Sequence, residues 1–367
     1  MSMWDEVRSE FPALENRAFL NTATYGQTPR RAVAAMHQHL ARRDEFACSD
    51  FLTWFDDMDR IRGLCGQLIQ CAASDIAFIH NASIGLATFL NGLDWREGDE
   101  VLTVENEFPN NLYQRPILAR HGVQFRVVPW VDLHSSINDR TRVVVLSSLN
   151  YGTGFRAPLE TLGPALKSRN ILLYVDATQG CGAIQYDLRR IQPAAFAVDG
   201  YKWMLTPNGG GFLYVDPAVR PMVVPLMAGW RSDRNWRQVN NLNHGDPVFS
   251  DDAERYEGGQ IVFPSLYAMG AVLEMMLEIG PAVIEARVLD LADRVRAILL
   301  QGGAIEVNEE PSPIVTARFA QDPGQLALQL KEHGVIVSAR HRRLRVSTHF
   351  YNNEQDLDRL AVALCKL

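Results

Sequence analysis

Five short apolar runs, IAFIH (76–80), VLTVE (101–105), FRVVPW (125–130), VVVLSS (143–148) and ILLYVD (171–176), alternate with longer amphipathic stretches in the first half of the chain. The runs are rich in Val, Ile and Leu and bounded by Gly, Asn, Asp or Ser, which predicts strands. The patterns between them, 83–94, 110–121 and 158–169, predict helices. Strands this apolar bury both faces, and strands linked through helices run parallel. The alternation therefore demands an α/β fold: a mostly parallel central sheet flanked by helices. FLYV (212–215) predicts one more strand.

The texture changes after residue 245. Long helices are expected from Pro264 to Ile279 and from about Val283 to Leu300, followed by PIVTARF, LALQLKEHG, VIVSAR and LRVST, with a closing helix at 354–366. A chain of 367 residues exceeds what one core fills. The expected division is a large domain over 21–245 and a smaller C-terminal α+β domain over 246–367, with residues 1–20 packing on the smaller one. The polar stretch at 240–252 is the expected hinge.

The net charge of −7, with no basic block, argues against nucleic acid or an anionic membrane as partner. No uncharged apolar stretch approaches the roughly 18 to 20 residues of a membrane helix. The acidic start, MSMWDEVRSEF, lacks the basic and apolar regions of a secretory signal. Five scattered cysteines (Cys48, Cys65, Cys71, Cys181, Cys365) include no CxxC pair. Neither a disulfide framework nor a metal site is expected, and a cytoplasmic setting is.

The densest chemical signal is YVDATQG…AFAVDGYKWMLTPNGGGFLYV. Asp176 ends a predicted parallel strand, where α/β sheets place their ligands. Lys202 follows between Tyr201 and Trp203, ahead of Gly209 to Gly211. A lysine among aromatic neighbours loses solvation of its ammonium form, so its pKa falls and the amine becomes a nucleophile suited to a carbonyl cofactor. A buried acid is costly alone but can pair with a protonated pyridine nitrogen. Taken singly, a strand-end Asp is commonly a cap and a lone Lys commonly solvated; the two together are not ordinary.

This segment resembles the pyridoxal phosphate (PLP) enzymes of fold type I in the class V aminotransferase group, which includes cysteine desulfurases, kynureninase and isopenicillin-N-epimerase-like proteins. The resemblance runs from FLNTATYG (19–26) to LRVSTHFYNN (344–353) and implies the PLP-transferase fold. It implies that Lys202 is the Schiff-base residue, that Asp176 pairs with the pyridinium and that Gln179 of DxxQ bonds the ring hydroxyl. In FIHNASIG, Ala82 and Ser83 match the phosphate-binding turn, although Ser83 also reads as a plain helix N-cap. Phe108 matches a ring that stacks on the pyridine face, though an aromatic there is often core. Asn150 and Tyr151 both match the residue that approaches the ring hydroxyl. Tyr201 reads as a phosphate ligand or as packing.

Two further segments point beyond the first domain. RYEGGQ resembles a loop that reaches the phosphate of a neighbouring subunit, with Gln260 standing where a hydroxyl residue is usual. RRLRVSTHFYN resembles the family's RxSxxxYN signature, which makes Arg345 the fork for a substrate α-carboxylate. The resemblance thus implies a homodimer with active sites at the subunit interface. The expected activity is a PLP-dependent aminotransferase acting on a small amino acid, with a β-lyase or epimerase as the alternative. Cysteine desulfuration is not expected, because GVIVSARHRRLRVS supplies no loop cysteine, and nothing marks a pocket for the aromatic substrate of a kynureninase. A nicotinamide-binding fold would want GxGxxG after the first strand, which the glycines after Lys202 do not form.

Overall fold

The computed structural model describes residues 2–242 and 245–367. Its larger sheet has seven strands: β1 Ile76–Ile79, β2 Glu100–Val104, β3 Gln124–Val128, β4 Thr141–Ser147, β5 Leu172–Asp176, β6 Ala195–Asp199 and β7 Gly211–Val215. They lie in the order β1-β7-β6-β5-β4-β2-β3. Only β7 runs against its neighbours; the other adjacent pairs are parallel. All six predicted strands are present within a residue or two. The additional one, β6, is alanine-rich, so its sequence carries little of the β-branched signal that marks a strand.

The period-two alternation of strand side chains divides the core cleanly. Val144, Val175, Phe196 and Phe212 pack on one face with Phe55, Met58, Met269 and Leu273. Val143, Val145, Ala197 and Leu213 pack on the other with Leu86 and Phe89. The helices supplying these side chains are Phe51–Ile69, Phe263–Ile279 and Ala82–Asn91. Helix Phe263–Ile279 thus shares its cluster with the large sheet, although its sequence lies beyond residue 245.

Two long helices, Arg30–Phe46 and Phe51–Ile69, were not among the predicted elements. The stretch expected to be helical at 110–121 is instead two single turns, Pro109–Leu112 and Arg115–Leu118, and a 3-10 turn. Pro116 has no N–H to continue the ladder, which explains the break. Gly280, at φ +95, turns the chain by 83° between Phe263–Ile279 and Pro281–Gln301. Among the described residues no single helix is long and apolar enough to cross a membrane.

A four-stranded antiparallel sheet forms from β8 Glu306–Val307, β9 Ile314–Arg318, β10 Ser338–Arg340 and β11 Arg343–Ser347, ordered β10-β11-β9-β8. The N-terminal segment lies against it. Ala18 pairs in parallel with Val335, Ala18 and Leu20 join its cluster, and Arg8 meets Asp356 at 2.8 Å. Of the expected hinge at 240–252, residues 243 and 244 lie outside the described residues.

Candidate active site

Five parallel strands end on the same side of the large sheet, and their carboxyl ends converge on one cavity. β1 leads to Ala82 and Ser83, β2 to Phe108, β4 ends in Ser147, β5 in Asp176 and β6 in Asp199, three residues before Lys202. All of these line the cavity, joined by Asn110, Tyr151, Thr178, Gln179 and Tyr201. Such a crevice beyond the strand ends is the usual ligand position in this kind of sheet.

Lys202 is 5% exposed. Its Nζ lies 5.2 Å from the Phe108 ring centroid and 5.3 Å from that of Tyr201. Burial lowers its pKa to about 8, although Asp176 opposes the shift. The backbone around it is pinned on both sides. Gly26 N–H donates to the Tyr201 carbonyl at 2.9 Å, and His349 Nε2 lies 2.8 Å from the Trp203 carbonyl. A Cβ on Gly26 would stand 1.9 Å from the Lys202 carbonyl oxygen. Gly26→Ala is therefore expected to cost about 1–3 kcal/mol, as overpacking does, and to lower the denaturant midpoint.

Asp176 is also buried, and burial raises its pKa. Its Oδ1 accepts the Thr178 N–H at 3.0 Å. No ion pair holds the carboxylate among the described residues, so it keeps acceptor capacity on a wall of the cavity. Gln179 Nε2 donates to the Ala23 carbonyl and its Oε1 accepts from Trp203 Nε1, both at 3.0 Å. One amide hydrogen remains, since the NH2 group carries two.

At the other end, helix Ala82–Asn91 is capped by Asn81, whose Oδ1 accepts the Ile84 N–H at 3.0 Å. The N-cap reading of Ser83 therefore falls: Ser83 lies inside the first turn and lines the cavity. Asp199 was missed from sequence, because the strand-end rule that singled out Asp176 needs β6 to be recognised first. Its pKa is raised to about 6 by burial, against the pull of Lys202 and of the Ala82 and Tyr201 backbone N–H groups. A carboxyl held there can take a proton and become a donor.

Asn150 and Tyr151, indistinguishable from sequence, part ways. Asn150 closes its own turn, with Oδ1 accepting from Gly152 and Thr153 N–H and Nδ2 donating to the Asn106 carbonyl. Tyr151 forms cavity wall, its ring edge-on to Phe108 at 5.2 Å. Gln260 is exposed and does not line this chain's cavity. Arg345 does not line it either, but it is 1% exposed and grips the wall from behind. Its Nε donates to Ser338 Oγ at 3.1 Å, Nη1 to the Tyr151 carbonyl at 2.8 Å and Nη2 to Thr24 Oγ1 at 2.5 Å. These partners are all neutral. Burial, and then Arg340, lowers the Arg345 pKa to about 9.

This donor set fits PLP. A buried amine meets a carbonyl, a buried carboxylate meets a pyridinium, an aromatic ring covers one face, and a helix N-terminus with Ser83 meets a phosphate.

The sequence matches the family model described as aminotransferase class-V over residues 19–360. It is 24% identical over 393 residues to a probable cysteine desulfurase of Methanothermobacter thermautotrophicus, covering 98% of this chain and 97% of that protein. It is 25% identical over 399 residues to isopenicillin N epimerase of Streptomyces clavuligerus, covering 98% and 97%. In fold it is similar to a C-DES variant with glycine covalently linked to the PLP cofactor (TM-score 0.89, 22% identity, 98% of this chain and 99% of that one).

Proposed function

Because the chain belongs to the class-V aminotransferase family, whose members are PLP-dependent enzymes, we propose that it is an aminotransferase acting on a small amino acid, with the cofactor held covalently by Lys202. The observation that carries this reading is the burial of an amine and a carboxylate, Lys202 and Asp176, in one cavity beside the Phe108 ring.

When bound, PLP supplies an electron sink for the pair released at the substrate Cα. The protein's own groups do the rest. Asp176 holds the proton on the ring nitrogen, and Gln179 and Tyr151 orient the hydroxyl edge. Ser83, Ala82 and Tyr201 anchor the phosphate end, and Phe108 shields one face from water. The Lys202 amine would carry a proton to and from the substrate Cα. Arg345 receives the α-carboxylate, its burial without an acidic partner favouring an anionic guest.

A pH dependence follows. Lys202 is largely protonated below about pH 8 and free above it. The rate at which PLP attaches to the apoprotein is expected to rise about tenfold per pH unit below that point and then level off. Stopped-flow absorbance across pH 6 to 10 checks it, and a flat profile contradicts the assignment.

Elimination or epimerisation is the second reading, favoured by the similarity to an isopenicillin N epimerase. Desulfuration fits less well, since no cysteine lines the cavity among the described residues and Cys365 is exposed at the end of the last helix. We also propose a cytoplasmic homodimer of two-domain subunits, with Gln260 reaching the partner's phosphate site. Its support is the exposure of Gln260 and of the apolar Val33, Leu40 and Phe46 along one helix.

The test is a panel of amino acids added to the holoprotein while the cofactor spectrum is followed. A pyridoxamine spectrum with release of a keto acid establishes transamination. Pyruvate with ammonia establishes β-elimination, and inversion alone establishes epimerisation. Borohydride reduction followed by peptide mapping reports whether the label sits on Lys202.

A further inference from the structure

The strand that carries Arg345 belongs to an arginine-rich hairpin. In the antiparallel pairing of β10 with β11, Ser338 stands opposite Arg345 and Arg340 opposite Arg343. Residues two apart on a strand share a face, so Arg340, Arg343 and Arg345 project from the same side. Like charges on neighbouring cross-strand positions repel. Arg343 is relieved by Glu306 at 2.7 Å. Arg340 and Arg345 have no acidic partner among the described residues. Arg345 spends its donors on neutral oxygens, and Arg340 Nη1 donates to the carbonyl of its own neighbour, Ala339, at 2.7 Å. Both Lys202 and Arg345 feel the charge of Arg340, which lowers their pKa values.

The hairpin is also held in an unusual shape. Its two turn residues, His341 and Arg342, both have positive φ, 47 and 58. Such turns normally use Asn or Gly, and non-glycine residues kept in this region cluster at functional sites. The tip is docked on the cavity wall: the His341 ring centroid lies 5.2 Å from that of Tyr151, and a Cβ on Gly152 would stand 2.0 Å from His341 Cδ2. The sequence thus accepts strain and charge repulsion to hold two guanidinium groups without acidic partners on one face of a hairpin whose tip packs on Tyr151, a residue of the cavity wall.

We propose that Arg340 and Arg345 together form a receptor for a dicarboxylic amino acid, Arg345 taking the α-carboxylate and Arg340 the side-chain carboxylate. This rests on the aminotransferase-type reading of the cavity and names its substrate class. The planar fork of each arginine matches a carboxylate, and one dianion neutralises both charges.

Succinate and butyrate, which lack an amino group and cannot react, test it by calorimetric titration of the holoprotein. Succinate is expected to bind at least about tenfold more tightly than butyrate, the margin of one added charge-assisted contact. Arg340→Gln is expected to erase that preference, and Arg345→Gln to weaken both ligands. Equal binding of the two acids by the unaltered protein, or an undiminished succinate preference in Arg340→Gln, overturns the proposal. Unchanged circular dichroism and an unchanged borohydride-reducible chromophore show that the variant is folded and loaded. Absence of that chromophore from the unaltered protein would instead refute the cofactor reading on which the proposal stands.

Discussion

Lys202→Ala protein is expected to fold, to release its PLP on dialysis and to lose turnover by about a thousandfold or more, within the range for removal of a positioned proton carrier. One side chain is asked to be both the covalent anchor and the proton carrier, so its loss removes two functions at once. Folding should survive, because a buried amine with a pKa of about 8 is a cost to the folded chain. Its ordinary value lies near 10.5, so between those pH values the unfolded chain binds more protons and apoprotein stability rises with pH. Alanine removes the Lys202 share of that dependence and leaves the share of Arg345, whose burial lowers its pKa to about 9. Absorbance after dialysis, single-turnover kinetics and melting curves at pH 7 and pH 10 report the three effects separately. Retained turnover in the variant would remove Lys202 from the chemistry.

The prominence of Lys202 and Asp176 in the sequence has a physical cause. Asp176 ends a strand whose Val, Ile and Leu content is high because both strand faces are buried, and strand ends are where ligands bind. Lys202 follows the alanine-rich β6 and stands out instead by its flanking Tyr201 and Trp203 and by the glycines at 209–211. Asp199 occupies the equivalent place on β6, but the alanines of that strand hide it. Arg340 was equally hidden, for a different reason. Its meaning lies in a cross-strand neighbour and in the lack of an acidic partner, neither of which a linear motif contains. The helix Phe51–Ile69 does carry an apolar stripe at Trp54, Met58, Ile61, Cys65 and Leu68, but the charged run from Asp56 to Arg62 interrupts it. Arg62, the last charge of that run, is buried. Local composition reports average burial, whereas a charged residue buried against a distant partner shows only in three dimensions.

That partner is Glu257, and its replacement by alanine is expected to lower stability by about 3–5 kcal/mol, the cost of leaving a buried charge without its counter-ion. Glu257 Oε1 accepts from Arg62 Nη2 at 2.6 Å and from the Phe78 N–H at 2.8 Å. Arg231 Nη1 lies 2.7 Å from Oε2, a charge contact whose angle falls short of a hydrogen bond. Both arginines are buried, lying over the Phe78 and the Phe55 and Trp236 rings respectively. Glu254, at 3.8 and 3.6 Å from the two guanidinium groups, compensates only in part. The pKa of Glu257 is held below its ordinary value by the two arginines, in spite of burial. Its stabilising effect is therefore complete above the ordinary carboxylate range and is lost as pH falls through the lowered value. Glu257→Gln keeps the acceptor for Phe78 and is expected to lose less. In urea titrations the alanine variant should show a lower midpoint with unchanged slope. Removing the exposed Arg237, which pairs with Asp56 and Asp59, should leave the midpoint nearly unmoved. Next in sequence, the Gly258–Gly259–Gln260 loop is tied to the same arginine, since the Gly258 carbonyl accepts the Arg231 N–H at 3.0 Å. If Gln260 serves a partner's phosphate, Glu257→Ala weakens PLP retention as well as stability, and an equal midpoint in both proteins would show that the buried quartet does not hold this region together.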